Sequence, residues 1–371
     1  MLYDIPVASP SFIGNEKKYV DDCMESGWIS SAGKYVELFE TGFAEYCGVK
    51  HAVACCNGTV ALHLALLALG VQPGAEVIVP TLTFVATPNA VTYCGAKPVF
   101  VDSEMETWNL DPNQVEAKIT PRTKGIIAVH LYGHPAKMYE LKEIARRHNL
   151  FLLEDAAEAH GAMYDGSIVG SLGDAATFSF YANKIITTGE GGMVVTNDDA
   201  LAERARLLRG QGMDPNRRYW HPVVGYNYRM MNLPAAIGLA QLEKIDQQLE
   251  LRSGIAGLYR ERLQKVTGLT WQAEQSWARH VYWMFSIVLE QEFWQNRDVV
   301  IDMLREQGVE TRPIFYPAHS LPPYINSVGG DRFPVAENLS GNGISLPTWA
   351  GLTENDIDYV CRALQQCRKK I

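Results

Sequence analysis

From residue 50 to about residue 200 the chain alternates short, almost wholly apolar runs with longer stretches of helical pattern. This alternation constrains the fold more than any other feature. The runs are HAVAC (51–55), EVIVP (76–80), PVFVD (98–102), GIIAVH (125–130), LFLLED (150–155), AATFSF (175–180) and GMVVTN (192–197). Helical patterns such as TVALHLALLALG (59–70) and KMYELKEIARRHN (137–149) lie between the earlier ones. Strands joined through helices pair in parallel and are covered on both faces. Strands buried on both faces are continuously apolar rather than alternating. The expectation is an α/β fold on a large, mainly parallel, seven-stranded sheet.

Past residue 234 the pattern changes. PAAIGLAQLEKIDQQLELRSGIAGLYRERLQKV (234–266) predicts a long helix or a helix pair. A strand at YWMFSIVL (282–289), a helix at DVVIDMLREQG (298–308) and a closing helix at TENDIDYVCRALQQCRKK (353–370) follow. Single cores stop growing at roughly 250–300 residues. The 371-residue chain therefore reads as a large domain over 1–245 and a smaller C-terminal α/β domain over 246–371.

Composition then removes whole classes of function. A net charge of −9 argues against a general nucleic-acid binder, which carries a basic face. The opening MLYDIPVASP has an acid and no basic region before an apolar run, so no secretory signal is expected. The longest apolar stretch, VALHLALLALGV, is about 12 residues, short of the ~20 a bilayer span needs. Seven cysteines without a C-x-x-C pair fit reduced thiols in a cytoplasmic protein. Cys55 and Cys56 are adjacent but have no partners at ligand spacing, so they read as buried filler and no metal is expected.

Ligands of open parallel sheets sit beyond the carboxyl ends of the strands, and three candidates lie there. In CNGTVALHLAL (56–66) a strand gives way to an Asn57–Gly58 turn and a helix opened by Thr59. Free amides and the positive helix end make such a turn a phosphate cradle, although the same residues also serve as ordinary turn and cap. In FLLEDAAEAHGA (151–162) an apolar strand runs into Glu154, Asp155 and Glu158. A carboxylate there needs a partner: a protonated ring nitrogen, a metal, or the next helix, which Asp155 would cap. In FSFYANKIITTGEGGMVVTN (178–197) one loop presents Ser179 and Lys184. A lysine that loses solvation loses basicity and becomes a nucleophile toward aldehydes, unless it snorkels to water.

An anion cradle, a carboxylate and an amine, in that order on one sheet, are the three parts that pyridoxal 5′-phosphate requires. Phe84, in TLTFVATPNA (81–90), adds an aromatic to stack on a flat ring, though such a residue also packs. Glycines 189, 191 and 192 fit tight turning of the backbone beside that ring.

These stretches, with AVHLYGHP, GYNYRMMNLPAAIGLAQLEKID and TRPIFYPAHSLPPY, closely resemble the DegT/DnrJ/EryC1/StrS aminotransferases over nearly the whole chain. The resemblance implies a fold-type I pyridoxal-phosphate transferase working as a homodimer with shared sites. It assigns Lys184 as the Schiff-base lysine and Asp155 as the partner of the pyridine nitrogen. Glu158 falls near the ring hydroxyl; Gly58, Thr59 and Ser179 fall at the phosphate; and Phe84 falls on the ring. Asn227 reaches the phosphate from the neighbouring subunit. Read by itself, GYNYRMMN is only a polar–aromatic loop. Lysine rather than histidine at 184 places the chain in the branch that aminates sugars rather than dehydrating them.

Within that branch the resemblance carried by WISSAGKYVELFE (28–40), NKIITTGEGGMVVTND and RGQGMDPNRRYWHPVVGYNYRMMN (209–232) implies transfer from glutamate to C4 of a GDP-linked 4-keto-6-deoxymannose. Arg217, Arg218, Arg229, Arg312 and His319 are candidates for the nucleotide or the glutamate carboxylates, with Arg229, His319 and Arg312 carried forward. Two alternatives stand beside this reading. One is an aminotransferase for another nucleotide-linked or free keto sugar. The other is a cofactor-binding sensor without turnover, which has no need of an amine such as Lys184 beside Asp155.

Overall fold

The computed structural model describes residues 4–327 and 329–369. Seven strands form its principal sheet: β1 His51–Cys55, β2 Glu76–Pro80, β3 Lys97–Val101, β4 Thr123–Val129, β5 Phe151–Asp155, β6 Ala175–Ser179 and β7 Gly192–Thr196. Their spatial order is β1-β7-β6-β5-β4-β2-β3. All contacts from β3 to β6 are parallel, whereas β7 runs antiparallel to both β6 and β1. β1 to β6 therefore point the same way, and their carboxyl ends share one edge.

The apolar runs form strands because both faces of the sheet are covered. Val77, Val79, Ile127 and Leu153 join one core, while their neighbours Ile78, Ile126, Ala128 and Leu152 join another on the opposite face. That is the two-residue period of a pleated strand divided between two cores. Truncating a residue such as Leu153 to alanine would cost about 2–5 kcal/mol.

The helical stretches expected at 59–70 and 137–149 are the helices Gly58–Ala68 and Met138–His148. Residues 234–266 fold as a pair, Asn232–Leu242 and Ile245–Leu263. Two N-terminal helices that the apolar pattern did not reveal, Glu16–Ser26 and Lys34–Cys47, pack on the first of that pair. Each ends on a left-handed glycine, Gly27 and Gly48.

A second sheet has β8 Leu269–Trp271, β9 Phe285–Leu289, β10 Arg312–Pro313 and β11 Gly343–Leu346, in the antiparallel order β8-β9-β11-β10. With the helices Arg297–Glu306 and Glu354–Gln365 it encloses its own core, including Tyr259, Phe285, Trp294 and Leu364. We propose residues 245/246 as the boundary between the two units. Residues cross it in both directions: Ile5 packs in the second core beside Val309, and Trp283, Ile314 and Phe333 pack in the first. Among the described residues no helix is long and apolar enough to cross a membrane.

Candidate active site

A cavity of about 650 Å³ opens at the carboxyl edge of the large sheet. Gly58 and Thr59 line it beside Phe84, Asp155, Glu158, Ser179, Lys184 and Arg312. Segments far apart in sequence reach it because β1, β4, β5 and β6 all end there.

Asn57, rather than Thr59, caps the helix Gly58–Ala68, its side-chain oxygen accepting from the Val60 amide at 3.0 Å. Thr59 thus lies inside the first turn, and its hydroxyl is not consumed by capping. The first-turn amides of Gly58 and Thr59 have no intrahelical acceptor, so they and the helix dipole favour an anion. A Cβ on Gly58 would lie 2.6 Å from the Ser179 Cβ. Only glycine lets the turn approach β6 so closely.

At the end of β5 the three acids separate by role. Glu154 is fully buried and accepts from the amides of Gly170, Leu172 and Gly173, with His130 Nε2 at 3.0 Å, so it ties loops together. Asp155 caps no helix, since turns rather than a helix follow it. Its Oδ2 accepts from the Thr87 hydroxyl at 2.7 Å and its Oδ1 from the Ala157 amide at 3.2 Å. Burial raises its pKa above the ordinary value, opposed by Thr87, Ala157 and Lys184. Among the described residues Asp155 takes part in no ion pair, although it is 5% exposed and faces the cavity. A buried carboxylate of that kind calls for a cation within the cavity. Glu158 Oε2 accepts from the Tyr132 amide at 2.8 Å, and Oε1 lies 3.8 Å from Lys184 Nζ.

Lys184 follows β6 on a loop tied by its own amide to the Tyr181 carbonyl at 2.9 Å. Its side chain is 11% exposed, so it neither snorkels freely nor is sealed off. Burial lowers its pKa, and the charges of Glu158 and Asp155 offset part of that shift. The ammonium sits 3.7 Å from the ring centroid of Trp283, whose indole N–H donates to the Asn183 carbonyl at 2.8 Å. Trp283 in turn stacks on Tyr132, and Tyr132 on Phe315.

Of the glycines of this loop, Gly189 makes the expected turn, whereas Gly191 and Gly192 are required by close protein packing. Gly189 has φ +80°, a turn conformation, but the crowding at Gly191 and Gly192 comes from protein. A Cβ there would meet the Thr188 hydroxyl at 2.2 Å and the Asn57 carbonyl at 2.3 Å respectively.

Five expected residues, His319, Arg229, Asn227, Arg217 and Arg218, lie outside the cavity lining. His319 is held away from it: its Nδ1 lies 2.6 Å from the Thr81 hydroxyl, its Nε2 3.3 Å from Glu337, and its ring stacks on Phe333. Arg229 pairs through its backbone with Cys55, and its Nε donates to the Ser31 hydroxyl. Asn227 is exposed on the surface, opposite Gly210. Arg312 does line the cavity, with Glu310 3.8 Å away, while Arg217 and Arg218 lie over the exposed rings of Trp220 and Tyr219. Trp283 and Thr87 escaped the sequence reading. Trp283 stands in a stretch read wholly as strand, but the strand starts at Phe285, which frees the preceding aromatic to face the site. Thr87 stands three residues after Phe84, the residue singled out in its segment.

Pyridoxal phosphate fits this set. An anion cradle at Gly58, Thr59 and Ser179, an uncompensated acid at Asp155 and an amine at Lys184 surround one space, with Phe84 5.7 Å from Phe315 at its side. A family model described as the DegT/DnrJ/EryC1/StrS aminotransferase family matches residues 10–365. Among curated relatives, the GDP-perosamine synthase of Caulobacter vibrioides is 56% identical over 363 residues, 98% of each chain. Its namesake from Escherichia coli O157:H7 is 48% identical, again over 98% of each chain. A solved structure of DesI, determined in the presence of its TDP-sugar product, superposes with a TM-score of 0.92 at 36% identity, covering 98% of this chain and 92% of that one. Helicobacter pylori PseC, an aminotransferase involved in pseudoaminic acid biosynthesis, has a TM-score of 0.93 at 28% identity, covering 98% of each. By sequence, by fold and by the groups gathered at its strand ends, the chain belongs to the DegT/DnrJ/EryC1/StrS aminotransferase family.

Proposed function

We propose that the chain is a pyridoxal-phosphate-dependent sugar aminotransferase that moves an amino group from glutamate to C4 of GDP-4-keto-6-deoxymannose, forming GDP-perosamine. The observation that carries the reaction class is Lys184 and Asp155 facing one cavity beside the amino end of the helix Gly58–Ala68. The sugar rests on the full-length likeness to GDP-perosamine synthases.

Gly58 and Thr59 amides, with the Thr59 and Ser179 hydroxyls, hold the cofactor's phosphate. Asp155 holds a proton on the ring nitrogen, and Phe84 lies against the ring. When bound, the cofactor supplies an aldehyde for amines and a ring that accepts the electrons of a carbanion. The Lys184 amine would take a proton from the α-carbon of glutamate and return one to the cofactor's C4′, after which hydrolysis by water would free 2-oxoglutarate and leave the amino group with the cofactor. In the second half it moves protons in the reverse sense, ending with one placed on C4 of the sugar. Such shuttling needs an amine less basic than a free lysine, and burial at 184 acts in that direction. Glu158, close to that amine, is suited to the ring hydroxyl side.

The outer wall is completed by a second copy of the chain, which brings Asn227 to the phosphate. Exposure of Asn227, together with that of Trp28, Trp220, Val224 and Met231, supports this arrangement. The cytoplasm is the compartment that fits free thiols and a nucleotide-sugar substrate.

The test is incubation of purified protein and pyridoxal phosphate with glutamate and a panel of keto sugars. Formation of GDP-perosamine with equimolar 2-oxoglutarate is expected. Turnover of other keto sugars but not this one would remove the sugar assignment. Absence of any glutamate-driven change in cofactor absorbance would remove the enzyme reading.

A further inference from the structure

Asp155 is held from behind by a short run of hydroxyls that nothing in the reaction scheme uses. Thr83 and Thr87 are 2% and 1% exposed, and their hydroxyl oxygens lie 3.0 Å apart. Thr87 Oγ1 donates to Asp155 Oδ2 at 2.7 Å. A hydroxyl has a single proton. Since Thr87 gives its proton to the carboxylate, Thr83 must be the donor to Thr87, so the chain has one direction: Thr83 to Thr87 to Asp155.

The backbone makes this alignment possible. Thr87 lies in the first turn of the helix Ala86–Tyr93, and its amide bonds to the Phe84 carbonyl at 3.2 Å. Thr83 and Thr87 are four residues apart on either side of that turn, while Phe84 between them points into the cavity. One turn therefore presents an aromatic to the ligand space and a pair of hydroxyls to the acid. Thr83 itself reaches the cavity wall.

We propose that Thr83 and Thr87 form a positioning relay that fixes the Asp155 carboxylate toward the cationic nitrogen of the bound cofactor. The proposal rests on the cofactor reading above. Hydrogen bonds arriving in series polarise one another, and a bond to a charged acceptor is worth more than one to a neutral group. The relay also opposes burial: the Thr87 hydroxyl and the Ala157 amide favour the ionised carboxylate that desolvation disfavours. Other charged or titratable groups face Asp155 as well: Lys184 from the loop after β6, His130 from the end of β4, and Glu158 from the turn after β5. Substitutions at 83 and 87 leave all three in place.

Thr87→Val keeps shape and removes the donor; Thr87→Ser keeps the donor and removes a methyl group; Thr83→Val removes only the first link. For holoenzyme Thr87→Val, cofactor affinity within about threefold of wild type is expected, since the phosphate site is untouched. Its kcat per bound cofactor should fall about 10- to 100-fold, the loss of a bond to a charged group, with KM for glutamate within about twofold. The pH profile of kcat should shift upward, because an acid that has lost a donor ionises later. Thr87→Ser should restore kcat and profile, and Thr83→Val should move both in the same direction by less.

A merely structural role would lower melting temperature and occupancy while leaving kcat per bound cofactor and the pH profile at wild type. That result would overturn the relay, as would a Thr87→Ser protein as impaired as Thr87→Val. If the wild-type protein fails to respond to glutamate, the cofactor reading fails instead. The relay is then judged in the apoprotein by infrared titration of the Asp155 carboxylate, assigned with Asp155→Asn. A midpoint raised in Thr87→Val sustains it and an unmoved midpoint overturns it.

Discussion

The two halves of the site are built on different terms. Its inner half, at the ends of β1, β5 and β6, is finished within one chain: Asp155 has Thr87 and Ala157, Glu158 has Tyr132, and Lys184 lies on Trp283. Its proposed outer half lies outside the cavity lining and leaves Arg217, Arg218, Tyr219 and Asn227 to solvent, with Tyr219 75% exposed and Val224 89%. Chemistry common to every substrate is thus supported by a rigid sheet edge. On the reading proposed above, the contacts that distinguish substrates fall to these surface segments and to a second chain.

The most severe way to probe the inner half is Lys184→Ala. It should retain phosphate-held cofactor but lose at least about 10³-fold in kcat, the scale of a lost acid–base group; activity near wild type would remove the role given to the amine. Next comes Asp155→Asn, expected to lower kcat about 10²- to 10³-fold because a neutral amide no longer favours a protonated ring. Steady-state rates at matched cofactor occupancy read this directly. Ser179→Ala removes one hydroxyl donor and should weaken cofactor binding about 10-fold, measured by titrating apoprotein.

The outer half is probed by mixing chains. Asn227→Ala should lose about 10-fold in cofactor affinity. At cofactor concentrations that leave Asn227→Ala protein largely unoccupied, mixing it with an equal amount of Lys184→Ala protein under exchange should recover roughly a quarter of wild-type activity, because half the dimers are mixed and half of their sites are intact. No recovery would mean that each site is complete within its own chain. The smallest effect is expected for His319→Gln, whose ring serves Thr81 and Glu337 rather than the cavity. Its kcat and KM should stay within about twofold of wild type, with about 1 kcal/mol lost in stability.

The division between halves also marks what the sequence could disclose. All seven strands of the large sheet were legible, because continuous apolar runs are a local signal of a sheet covered on both faces. The cavity residues Gly58, Thr59, Asp155, Ser179 and Lys184 were legible because they stand at the ends of those runs. His319 was not. Nothing in YPAHS announces that Thr81, far away in the chain, will take its ring nitrogen. Trp283 was hidden for the same reason, since its worth depends on a loop about 100 positions earlier. Helices Glu16–Ser26 and Lys34–Cys47 were missed; both pack on Asn232–Leu242, about 200 positions away, and the second also packs on β1.

The reversed direction of β7 has a last consequence. Ser179 and Gly192 are paired across the ladder, so the segment carrying Lys184 departs from the sheet and rejoins it at the same edge. Had β7 been parallel, a crossover would have returned the chain to the far edge, and any change in that segment would have been felt by the packing beneath. As built, the segment is fastened at that seam, with Ile185 and Ile186 seated in the core and Trp283 holding the Asn183 carbonyl, while the Lys184 side chain itself faces the cavity. The reactive group within it can be exchanged while the strands on either side keep their register, so a change of chemistry at this position asks little of the scaffold.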